Sequence, residues 1–208
     1  MHNGQICMDV KRIYVHESIY DQFLPKLVAF VKKLKTGDYA DADAFFGPIQ
    51  NSMQYRKLQD LYSQINKQGW KTALGGAVHD ADGERKKGYF VDPTIIDNPP
   101  EDSRIVVEEP FGPIVPVLKW TDEEDVIRRA NDSSFGLGAS VWSRDIPRAR
   151  RIVEQLEAGS VWVNTHFEIG PSVPFGGHKQ SGLGMEWGIT GLKGWCNPQA
   201  VWVKHSGA

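Results

Sequence analysis

Apolar residues along this chain repeat with two different periods. Val10 to His16 carries the β-branched and aromatic residues Val10, Ile13, Tyr14 and Val15 and predicts a strand. From Glu17 the spacing lengthens. Ile19, Phe23, Leu27, Phe30, Val31 and Leu34 recur at helical intervals, predicting a helix that Gly37 ends. Pro25 lies inside that helix and predicts a kink or a late start. Gly37 to Pro48 reads as loop. Tyr55, Leu58, Leu61, Tyr62 and Ile65 then form a second helical stripe, stopped near Gly69. Trp70 to Leu74 and Tyr89 to Ile96 predict strands divided by the polar turn Asp80-Ala81-Asp82-Gly83. The apolar run Pro113 to Trp120 suits a buried strand. Thr121, with Glu124 three residues on, has the pattern of a capping box opening the next helix. Leu137 to Trp142 predicts a short strand, and Ile146, Ala149, Ile152, Val153 and Leu156 a helix closed by Gly159. Ser160 to Asn164 and Ala200 to Lys204 predict the last two strands. Helices alternating with short apolar strands predict an α/β fold, doubly wound, with a mainly parallel sheet covered on both faces.

A length of 208 residues suits one large domain with a substantial core. The net charge of −2, with basic residues scattered among acids, gives no electrostatic footprint for nucleic acid or an anionic membrane. The runs Lys32-Lys33 and Arg85-Lys86-Lys87 read as solvated faces. No apolar run is long enough to span a bilayer, and no charged-then-apolar leader opens the chain. Cys7 and Cys196 make no disulfide framework and lack the neighbours of a zinc site, which points to a reducing compartment, the cytosol.

Cys7 stands in the stretch His2-Asn3-Gly4-Gln5-Ile6-Cys7. A lone cysteine is ordinarily a small buried apolar residue. Here Asn3, Gly4 and Gln5 predict a turn that lifts a side chain from the surface, and a thiol is a strong nucleophile once ionised. Three further blocks stand out: Glu108-Glu109-Pro110-Phe111-Gly112-Pro113, Gly159-Ser160-Val161-Trp162-Val163-Asn164, and Pro174-Phe175-Gly176-Gly177-His178-Lys179-Gln180-Ser181-Gly182. Read alone, Glu109 is a surface acid and Phe-Gly-Pro a turn. The glycines from Gly176 to Gly184 suit tight turns better than phosphate binding.

Taken in order, with Gly88-Tyr89-Phe90 and Pro93-Thr94, these blocks resemble the aldehyde dehydrogenase family along the whole chain. The resemblance implies that Cys7 attacks an aldehyde carbonyl, forms a thiohemiacetal, loses hydride to a nicotinamide and leaves a thioester for water to cleave. The backbone N–H of Cys7 would be one oxyanion donor. Glu109 would accept hydrogen bonds from the nicotinamide ribose of NAD or NADP, with the Phe111 ring beside the nicotinamide. Phe175 and Ile169 would line the aldehyde tunnel, and Phe167 and Ile169 favour an apolar or aromatic aldehyde. Glu108 would stay structural, and His166 and His178 would have no catalytic role. Met185 stands where the family usually carries arginine.

The resemblance also implies absences. The family's general base, on a Glu-Leu-Gly-Gly type segment, its oxyanion asparagine and its cofactor strands precede the nucleophile, and no such segment occurs in this sequence. The expectation is a catalytic-domain half, residues 1–198, followed by an oligomerisation strand and tail, 199–208. Alone it is expected neither to oxidise aldehydes nor to bind the dinucleotide. It would form a homo-oligomer or take a partner carrying the missing half. A domain repurposed for a non-redox step, a non-enzymatic subunit and a gene fragment stand as alternatives.

Overall fold

The computed structural model describes residues 2–78, 88–205 and 207. The expected turn at Asp80 to Gly83 and the basic run Arg85 to Lys87 lie outside the described residues. Two compact units divide the chain, Met1–Arg128 and Arg129–Ala208, and the division falls inside the stretch 1–198. The fold is α/β with parallel strands and helices, as expected.

In the first unit, strands β1 (Ile13–His16), β4 (Thr72–Leu74), β5 (Thr94–Asp97) and β6 (Ile114–Trp120) form one sheet in the order β1-β6-β5-β4. β1 and β5 run parallel to the central β6, and β4 is antiparallel to β5. Side chains alternate across the pleat. Ile13, Val15, Ile95, Val115 and Val117 pack with helix α1 (Glu17–Val31), whereas Tyr14, Ile96, Ile114 and Leu118 pack with α2 (Ser52–Gln68). β6 is buried along most of its length because both faces are covered, which explains its continuous apolar run.

The α2 stripe forms as the spacing predicts. Leu58, Leu61, Tyr62 and Ile65 are buried, Asn51 caps the N-terminus through Gln54 N–H, and Gly69 closes the helix in the left-handed conformation. In α1 the buried face is rotated from the predicted stripe. Tyr20 is buried and Phe23, Leu24, Leu27, Val28 and Val31 pack on the sheet, while Ile19 and Phe30 face out. The Tyr20 hydroxyl sets that rotation by donating to Asp97 Oδ1 (2.6 Å) and to the Val117 carbonyl (3.0 Å). Pro25 is accommodated on the exposed side of α1. The predicted loop 37–48 contains the short strand β3 (Ala44–Phe46), paired with β2 (Lys35–Thr36). A short helix α3 (Arg104–Val107), which no periodicity announces, precedes β6.

Helix α4 (Glu123–Asn131) is capped by Asp122 rather than Thr121: Asp122 Oδ1 accepts from Asp125 N–H at 2.8 Å. In the second unit, β8 (Gly138–Val141), α5 (Ile146–Val153) and β9 (Ser160–Val163) form a parallel βαβ unit, with Ala149 and Val153 buried on the strands. β7 (Phe135–Gly136) pairs antiparallel with β10 (His178–Lys179), and α6 (Gly188–Gly194) follows. The predicted strand Ala200 to Lys204 does not form. Nothing pairs with it among the described residues, and Val201, Trp202 and Val203 stand in the open.

Candidate active site

Cys7 is an exposed free thiol in a turn that local bonds shape. Gln5 N–H donates to the His2 carbonyl (3.1 Å) and Asp9 N–H to the Ile6 carbonyl (2.9 Å). The Asp9 carboxylate accepts from Ile6 N–H (3.1 Å). The Cys7 backbone N–H makes no hydrogen bond among the described residues. His2, Asn3 and Gly4 all have positive φ, the sharp conformation that a lifted turn requires. Asn3 is buried, and neither its Oδ1 nor its Nδ2 has a partner among the described residues.

This turn rests on the segment around Phe111. A Cβ at Gly4 would overlap the Gly112 carbonyl, so the absence of a side chain is what lets the two backbones touch. Three side chains hold the segment itself. Lys11 Nζ donates to the Val107 carbonyl (2.7 Å), Lys57 Nζ to that of Glu109 (3.1 Å), and Gln54 Nε2 to those of Pro110 (2.8 Å) and Phe111 (3.0 Å). Burial, helped by Arg12, pushes the Lys11 ammonium down to about 8 against the opposing pull of Glu109 and Glu108. Arg104 ties up Glu108 at 2.6 Å and holds its carboxyl below the ordinary range. The Glu109 carboxylate makes no hydrogen bond to a described residue. Phe111 has φ of 51°, a conformation rare for a large side chain and sustained here by the Gln54 bonds. A cleft of about 580 Å³ is lined by Asn3, Gln5, Pro48, Gln50, Gln54 and Phe111, among others. The first unit therefore brings the turn that carries Cys7 against the segment that carries Glu109 and Phe111. Sequence reasoning missed Gln54 and Lys57, which carry no signal beyond their place on α2.

The other two predicted site residues lie in the second unit. Phe175 pairs with Glu186 through two backbone hydrogen bonds (2.8 and 2.7 Å), and its ring lies 5.7 Å from that of Trp187. Gly159, at the start of the Gly-x-Val-x-Val-Asn strand, backs directly onto Gly176, so those two motifs form one piece. Ile169 is exposed, one residue after Glu168, whose carbonyl accepts from Trp162 Nε1 at 2.9 Å. Met185 packs its sulfur against Gly176. Among the described residues no trio of His, Cys, Asp or Glu is placed to hold a metal, and no helix is long and apolar enough to cross a membrane.

Comparison with known proteins agrees with these motifs. The Aldehyde dehydrogenase family model matches residues 1–201. Betaine aldehyde dehydrogenase of Brucella anthropi is 39% identical over 201 residues, covering 97% of this chain and 41% of that protein. Aldehyde dehydrogenase 1A1 of Oryctolagus cuniculus is 38% identical over 205 residues, covering 99% of this chain and 40% of that protein. A crystal structure of betaine aldehyde dehydrogenase from Staphylococcus aureus in complex with NAD+ superposes with a TM-score of 0.87 at 38% identity, covering 98% of this chain and 42% of that one. The chain spans about two fifths of the length of the curated relatives it matches. With motifs, fold and relatives in agreement over nearly every residue, this chain belongs to the aldehyde dehydrogenase family.

Proposed function

We propose that the chain carries the nucleophile of an NAD- or NADP-dependent oxidation of an aldehyde to a carboxylic acid. The observation that supports this best is the Cys7 turn. An exposed thiol and an unbonded backbone N–H share one residue, on a turn seated against the Glu109–Phe111 segment. The Cys7 thiolate adds to the carbonyl carbon, forming the S–C bond while the C=O π electrons move to oxygen. The Cys7 N–H donates to that oxygen as its charge develops. Once the carbon is oxidised, Cys7 holds the acyl group as a thioester, which water cleaves to release the acid and the thiol.

The residues on the other side of the turn fit a nicotinamide cofactor. Glu109 offers a carboxylate that no described residue bonds, and Phe111 lines the cleft. When bound, the nicotinamide supplies the oxidant that accepts hydride. Glu109 and Phe111 would hold only its ribose and ring end, and the sequence contains no Glu-Leu-Gly-Gly base segment. By themselves these 208 residues would bind dinucleotide weakly and would not turn over, because a constellation that works as a unit loses most of its power when members are missing.

Phe175, half-buried beside Trp187, and the exposed Ile169 favour an apolar or aromatic aldehyde. Residues 1–198 would act as the catalytic domain and 199–208 as a strand given to a neighbouring subunit, which the exposed Val201, Trp202 and Val203 support. Free thiols at both cysteines suit the cytosol.

Acylation tests the nucleophile without any cofactor. p-Nitrophenyl acetate should release p-nitrophenolate in a burst and leave an acetyl group on Cys7, located by peptide mass mapping, and Cys7→Ala should abolish both. Acetylation of Cys196 in preference to Cys7 would refute the assignment.

A further inference from the structure

One side chain joins the nucleophile turn to the loop before α2. Gln5 Nε2 donates to the His2 carbonyl (3.1 Å) and the Pro48 carbonyl (3.4 Å), and its Oε1 accepts from Gln50 N–H (2.9 Å). The set requires a primary amide of this length: a carboxylate lacks the donors, and a hydrocarbon lacks both functions. The connection continues beyond Gln50. Asn51 Nδ2 donates to Gln50 Oε1 (2.8 Å), and Asn51 Oδ1 accepts from Gln54 N–H (2.9 Å). Gln54 Nε2 in turn holds the Pro110 and Phe111 carbonyls. A run of amides thus leads from the residue two before Cys7 to the backbone of Phe111, and the contact of Gly4 with Gly112 closes the ring.

We infer that Gln5 is a positioning residue for Cys7. It clamps the turn so that Sγ and the Cys7 N–H stay presented beside the Phe111 segment, and this presentation sets the reactivity of the thiol. Exposure cannot do so, because Cys7 and Cys196 are both exposed free thiols. The inference rests on the reading of Cys7 as the nucleophile.

Brief iodoacetamide treatment at neutral pH, with peptide mass mapping, gives both cysteine rates from the same molecules. Gln5→Met is the informative variant, since it keeps the length of the side chain and loses all three bonds. In the wild type Cys7 should react faster than Cys196. In Gln5→Met the Cys7 rate should fall roughly tenfold while the Cys196 rate holds, since alkylation follows how each thiol is presented by its surroundings and only the Cys7 turn loses its clamp. An unchanged Cys7 rate overturns the inference. A rise at both cysteines also overturns it, because that is general loosening. If Cys7 does not lead in the wild type, the nucleophile reading fails and takes this inference with it, a result distinct from the first. Should Gln5→Met not fold, hydrogen exchange on the wild type decides. The Gln50 amide must exchange more slowly than an unbonded exposed amide, and fast exchange there refutes the clamp.

Discussion

Replacing Gly4 with alanine tests whether the nucleophile turn truly rests on the Phe111 segment. Gly4 has φ of +72°, and an L-residue in the left-handed region costs about 1–2 kcal/mol. Its new methyl would also overlap the Gly112 carbonyl oxygen and sit 2.7 Å from that carbonyl's carbon, against 3.4 Å for ordinary contact, so the carbonyl must withdraw. Little room exists for it to move. Gly112 itself backs onto Leu58, which is fully buried, and Gln54 pins the two preceding carbonyls. Overpacking of this kind adds about 1–3 kcal/mol, for a total loss of roughly 2–5 kcal/mol. Gly69→Ala is the internal control. Gly69 has φ of +66° in the same unit, and its substituent would meet nothing within 4 Å, so it reports the backbone cost alone. Urea denaturation followed by fluorescence and circular dichroism gives both values, with the slope checked for each variant. If Gly4→Ala is no more destabilising than Gly69→Ala, the close approach of the two segments is wrong.

Calorimetric titration of the 208-residue chain with NAD or NADP should show no saturation below the millimolar range, about −4 kcal/mol or weaker, and a micromolar isotherm would show a complete dinucleotide site. Burial raises the Asp97 carboxyl, but hydrogen bonds from Lys71 (2.6 Å) and Tyr20 (2.6 Å) outweigh it and hold the group below the ordinary range. A carboxyl depressed in the fold stabilises it above the unfolded pKa, and that contribution is lost as pH falls through the folded value. Asp97→Asn should therefore lower the urea midpoint at neutral pH and narrow that gap in acid; an equal gap at both refutes the linkage. Light scattering across a concentration series should show self-association through the exposed Val201, Trp202 and Val203, weakened in Trp202→Ser, and a monodisperse monomer at all concentrations would refute it.

The sequence determined those features whose physics is local. Helix α2 was legible because Leu58, Leu61, Tyr62 and Ile65 share one helical face and Gly69 is free to turn left-handed. Strand β6 was legible because a strand covered on both faces must be apolar throughout. The motif blocks named Cys7, Glu109 and Phe111, and their order along the chain gave the family. Tertiary structure decided whatever depends on a partner distant in sequence. The buried face of α1 turns on the bonds of Tyr20 to Asp97 and Val117, which no periodicity within the helix encodes. Residues 200–204 have strand composition, yet a strand exists only where another backbone takes its hydrogen bonds, and no described residue does. The site follows the same rule. Asn-Gly-Gln-x-Cys specifies a turn, but only folding brings Gly4 onto Gly112, Gln5 onto Gln50 and Gln54 onto Phe111, because the donors and acceptors involved become neighbours only when α2 and β6 pack.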